Sequence, residues 1–73
     1  MNSLRAIRRR QRVSQQELTM LAGVSIATLT LVERYDHTPS PPVRAKIAAA
    51  LGVSEGVIWP ELPEGKKAEV QHG

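Results

Sequence analysis

Apolar positions recur along this chain in short bursts, and the bursts carry a helical period. Leu4 and Ile7 stand three apart, Leu18, Leu21 and Ala22 fall at i, i+3 and i+4, and Leu29 and Val32 are again three apart. Val43, Ile47, Ala50 and Leu51 follow at i, i+4, i+7 and i+8. This is the one-sided stripe of amphipathic helices. No stretch alternates apolar and polar residues as a half-buried strand would. A last burst, Val57, Ile58 and Trp59, is cut off by Pro60. The pattern predicts an all-α fold with helices over about 2–11, 15–22, 26–34, 41–51 and 55–59.

The residues between the bursts punctuate the same five elements. Ser3 is placed to cap the first helix, Gln11-Arg12 to connect it, and Val13 to plug the gap that follows. Ser14 is a strong N-cap, and Glu17 three residues on completes a capping box. Gly23 stands where a helix end needs a left-handed residue. Val24 seals that turn, and Ser25 offers a second N-cap. Residues 14–34 therefore read as helix, three-to-four-residue turn, helix, the layout of a DNA-reading helix-turn-helix. Residues 35–41, YDHTPSP, form a loop. Ser40 then caps a helix with Pro41 and Pro42 in its first turn, where a missing N–H costs nothing. Gly52-Val53-Ser54 repeats the Gly-Val-Ser of 23–25 and predicts a second glycine turn into the last short helix. Leu62 is the last residue expected to pack. Residues 1–62 are expected to be one domain, and the polar 63–73 a disordered C-terminal tail.

Composition narrows the function classes. Seventy-three residues make one domain at most, and a chain this short buries only about 60% of its unfolded surface. It has no cysteine, which excludes a disulfide framework or a Cys-type zinc site. No apolar run approaches the roughly 20 residues of a membrane span, and no signal-peptide pattern follows the early arginines. A cytoplasmic protein with no membrane partner is expected. No phosphate loop or nucleophile–base pair is recognisable, and His37 and His72 have no local ligand set. The chain is accordingly expected to be no enzyme and to use no metal or cofactor.

Charge adds a direction. The net charge is +3, unevenly spread. Arg5, Arg8, Arg9, Arg10 and Arg12 give the first twelve residues +5, whereas residues 13–62 sum to −2. Arginines on a surface helix often confer only solubility, but beside a helix-turn-helix this block points to phosphate contact.

The segments LRAIRRR at 4–10, SQQELTMLAGVS at 14–25, TLTLVER at 28–34, PSPPVRAKIAAALGVS at 39–54 and the final helix with Trp59 together resemble the lambda-repressor/Cro type of helix-turn-helix domain, the XRE family. Their order and spacing cover residues 3–60. The resemblance implies a compact five-helix domain that binds double-stranded operator DNA, usually as a homodimer, with the second helix across the backbone and the third in the major groove. It implies a small repressor acting by operator occupancy. Gln15, with Ser14, matches the backbone-contacting start of the second helix, where free N–H groups favour an anion. Arg10 and Arg12 near that helix, and Arg34 after the third, are further backbone candidates. Gln16, Ile26, Ala27, Thr28, Thr30 and Leu31 take the base-reading positions. Arg8 and Glu33 match a structural salt bridge, and Ile58 and Trp59 a dimer contact.

The third helix and its exit depart from the family pattern. Relatives place long polar residues at several base-reading positions that here are apolar, so the face of the third helix suits thymine methyl groups and DNA shape, or alternatively a protein partner. Tyr35 stands where relatives commonly turn with glycine. Tyr is poor at positive φ, so the third helix is expected to end differently.

Overall fold

A computed structural model describes residues 1–62. They form five helices: α1 (Leu4–Arg10), α2 (Gln15–Ala22), α3 (Ile26–Tyr35), α4 (Pro41–Leu51) and α5 (Glu55–Ile58). No strand occurs among the described residues. The expected tail over 63–73 lies outside them.

The helices surround a single core. Leu4, Leu18, Leu29, Val32, Ile47 and Ile58 are its largest fully buried side chains, joined by Ile7, Ala22, Ala48, Leu51 and Trp59. Burying each of the larger ones contributes about 1.5–3 kcal/mol. α2 packs on α3 and α4, α4 on α5, and α1 on α3. α2 and α3 thus reach the surface as an adjoining pair.

The helix ends follow local chemistry. Ser14 Oγ accepts the Glu17 N–H at 3.0 Å while the Glu17 carboxylate accepts the Ser14 N–H at 2.9 Å, a complete capping box. Ser25 Oγ accepts the Thr28 N–H at 3.1 Å. Gly23 at φ 71° ends α2, and Gly52 at φ 68° ends α4. Arg12 makes the same kind of exit from α1 without being glycine, at φ 61°. Its N–H donates to the Arg9 carbonyl and the Val13 N–H to the Arg8 carbonyl, both at 3.0 Å, the paired bonds of a Schellman turn.

Several sequence expectations need correction. Ser3 makes no side-chain cap; Asn2 Oδ1 accepts the Leu4 N–H instead, at 3.0 Å. Ser40 takes the N-cap backbone conformation of α4 without a side-chain bond. Leu21 is 62% exposed, because α2 turns Leu18 and Ala22 inward and leaves Leu21 outside that arc. α3 continues through Tyr35, and the left-handed exit falls one residue later, on Asp36 at φ 56°. Aspartate tolerates that conformation, and Asp36 Oδ1 there accepts the Asn2 N–H and Nδ2–H, each at 2.9 Å. Ile58 and Trp59 are 0% and 4% exposed. Both pack inside the domain, with almost none of either side chain at its surface. The Trp59 indole N–H has no partner among the described residues.

Candidate nucleic-acid interface

One ion pair fixes how α1, α2 and α3 meet. Arg8 Nε donates to Glu33 Oε2 at 2.8 Å and Nη2 to Oε1 at 3.1 Å, a two-pronged bond between α1 and α3. Arg8 Nη1 donates to the Val13 carbonyl at 2.8 Å, which ties in the turn before α2. Gln15 Nε2, at the start of α2, donates to Glu33 Oε1 at 3.2 Å. Both charged side chains are largely shielded, 12% and 6% exposed. Glu33 therefore gathers three side-chain bonds from two other helices, and the entry of α2 is held against α3.

Beside this network lies a cleft lined by Met1, Arg5, Arg8, Ser14, Gln15, Thr30, Glu33 and Arg34. The N-terminus of α2 opens here, with free backbone N–H groups and a partial positive charge that suit a phosphate. Arg5 and Arg34 make no ion pair among the described residues. The cleft thus carries two uncommitted guanidinium groups and one helix N-terminus, all of one sign.

Three of the proposed backbone residues, Ser14, Gln15 and Arg34, come together in this cleft. Arg10 and Arg12 are exposed but do not line it. Gln15 commits one amide hydrogen to Glu33, leaving its second amide N–H and the nearby backbone N–H groups as donors. Arg5 lines the cleft as well. Arg5 and Arg8 are one turn apart on α1, so the Arg8–Glu33 pair that turns Arg8 toward α3 also brings Arg5 to it.

The base-reading set occupies the neighbouring surface. Ile26 is 50% and Leu31 45% exposed, Ala27 is exposed, and Thr28 and Thr30 are half-buried. Gln16 is exposed on α2 with no side-chain hydrogen bond among the described residues. The threonine hydroxyls are occupied: Thr30 Oγ1 donates to the Ile26 carbonyl at 2.9 Å, and Thr28 Oγ1 lies 2.9 Å from Ser25 Oγ. The outer face of α3 is thus chiefly carbon, bordered by Gln16 and Arg34.

No group of three or more His, Asp or Glu residues that could hold a metal occurs among the described residues. None of their helices is long and apolar enough to cross a membrane. A helix-turn-helix domain model matches residues 2–58, which takes in all five helices. The chain belongs to the helix-turn-helix family. The match agrees with a lambda-repressor-like domain of the XRE type. The comparison with curated proteins gives no match. Domains of the helix-turn-helix family bind DNA and are typically not enzymes, and in this one the second helix of the motif is α3.

Proposed function

We propose that this domain, residues 1–62, is a sequence-specific DNA-binding transcriptional regulator of the cytoplasm, a small repressor that covers its operator as a homodimer and so blocks polymerase. The observation that carries the reading is the cleft where the N-terminus of α2 meets Arg5 and Arg34 beside the exposed face of α3. Ser14, Gln15, Arg5 and Arg34 hold the phosphate backbone there. Arg10 and Arg12 extend the positive surface beyond the cleft. Gln16, Ile26, Ala27, Thr28, Thr30 and Leu31 then face the base edges. Backbone contacts position the domain, and α3 supplies the sequence preference. Two copies on a two-fold axis would read half-sites about 34–36 Å apart.

The test is a mobility-shift titration with genomic fragments over a range of salt. Binding should weaken linearly in log–log form as salt rises, with a slope of about −0.9 per phosphate neutralised. Absence of binding at low salt sinks the reading.

A second reading has its own observation: the exposure of Ile26 and Leu31 on α3. An apolar patch of this kind also serves protein partners. Under it, Ile26→Ser with Leu31→Ser abolishes a protein association and leaves DNA binding intact.

A further inference from the structure

The outer face of α3 lacks hydrogen-bond donors where a base-reading surface commonly has them. Its centre is the half-exposed Ile26 and Leu31 with Ala27. The two threonines do not fill the gap. Thr30 has given its hydroxyl proton to the Ile26 carbonyl and keeps only acceptor capacity. The Thr28 hydroxyl shares a bond with Ser25 Oγ, which also accepts the Thr28 N–H. Free donors remain on Gln16, Arg34 and the exposed Tyr35 hydroxyl around that centre, and one proton of the Ser25–Thr28 hydroxyl pair stays unshared.

Each base asks something different of such a face. In the major groove guanine shows two acceptors and adenine an acceptor beside a donor, whereas thymine shows one acceptor and a 5-methyl group. A donor-poor apolar surface pressed on a purine edge leaves acceptors desolvated and unpaired, which is costly. Pressed on a methyl group, it buries carbon against carbon. We propose that Ile26, Ala27 and Leu31 read thymine 5-methyl groups, so that the half-site is specified by where methyls stand in the major groove. This rests on the DNA-binding reading above and names what that site recognises. DNA is favoured over a protein here because the same face adjoins the unpaired Arg5 and Arg34 of the cleft.

The proposal separates methyl reading from a general preference for A·T pairs. Uracil keeps every hydrogen-bonding group of thymine and loses the methyl; 5-methylcytosine keeps the methyl and changes the hydrogen-bonding groups. The experiment selects bound duplexes from a random-sequence pool with the full chain. Those duplexes are then remade with uracil for each thymine in turn, and with 5-methylcytosine or cytosine at the same places. Each contacted methyl that is lost should weaken binding about fourfold. 5-Methylcytosine should bind more tightly than cytosine at those positions. Ile26→Ser with Leu31→Ser, checked for helicity, should erase the thymine–uracil difference while salt-dependent binding persists. Selective, salt-dependent binding that is indifferent to uracil overturns the methyl proposal and leaves DNA binding standing. A chain that enriches no duplex at low salt overturns DNA binding itself. Serine variants that lose a protein association but keep the thymine–uracil difference overturn the assignment to Ile26 and Leu31.

Discussion

The start of α2 and the outer face of α3 adjoin each other and are built on opposite rules. At the start of α2 the scaffold side chains are held: Ser14 and Glu17 cap each other, and Gln15 and Arg8 converge on Glu33. Rigid donors cost little to order when a phosphate arrives. The outer face of α3 has its hydroxyls tied to its own backbone or cap and presents carbon. One region is prepared for a charge that every DNA sequence offers, the other for a shape that only some sequences offer. The division matches the general split between contacts that position and contacts that specify.

The comparison can be broken most severely at Glu33. Glu33→Ala leaves Arg8 shielded without its counter-charge and frees Gln15. The expected loss is about 3–5 kcal/mol, the cost of breaking a largely buried pair. Denaturant midpoints check it, and Arg8→Ala should match it within the error of such curves. A smaller effect is expected at the cap. Ser14→Ala removes one of the two reciprocal bonds and should cost about 1 kcal/mol of stability.

Two helix exits sharpen the contrast between scaffold and interface. Gly52 and Arg12 share one Schellman geometry with φ near 60–70°, but only one is glycine. Nothing lies within 4 Å of a Cβ built on Gly52, so Gly52→Ala adds backbone strain alone, about 1 kcal/mol. Arg12→Gly should do the reverse and stabilise by about 0.5 kcal/mol, less than the strain relieved because glycine gains freedom in the unfolded chain. Thermal melts of both variants decide it. If Arg12 contributes to the positive surface, the stabilised variant binds DNA less tightly.

The smallest effect belongs to the end of α3. The bonds from Asn2 hold the Asp36 carboxyl below its usual 3.8. Its bond with Glu61 at 3.1 Å, and the nearby Asp36, raise the Met1 amine above 8.0. A lowered carboxyl contributes stability above its unfolded value, lost as pH falls through its folded value. A raised amine contributes below 8.0, lost as pH rises through its folded value. Stability should therefore be flat between about 4 and 8 and slope gently outside. Asp36→Asn should reduce the acid slope, as read from melts across pH.

The fold was legible because its signals are local and agree. Ser14 with Glu17, and the two Gly-Val-Ser turns, place the boundaries of α2, α3, α4 and α5 within about a residue. What was misread depended on which way a helix rolls. Leu21 fits the period of α2 as well as Ala22 does, yet only packing against α3 and α4 decides that Leu21 stays outside. Ser3 and Asn2 are both good capping residues, and the choice fell to Asn2 because its amide also reaches the Val32 carbonyl at 2.8 Å. Ile58 and Trp59 looked fit for an interface because the sequence does not say whether one domain has carbon enough to bury them. In the candidate site, Ser14, Gln15 and Arg34 could be named in advance. Arg5 could not be ranked above its four neighbouring arginines until the Arg8–Glu33 pair oriented α1. The occupied hydroxyls of Thr28 and Thr30 depend on distances that no pattern encodes.

The most direct test compares Arg34→Ala with Ile26→Ser on a selected duplex and on a scrambled one, across salt. Arg34→Ala should weaken both duplexes alike and reduce the salt slope by about one per bound subunit. Ile26→Ser should keep the slope and lose preference for the selected duplex. Loss of preference on Arg34→Ala, with Ile26→Ser silent, would contradict the division of labour between the two regions.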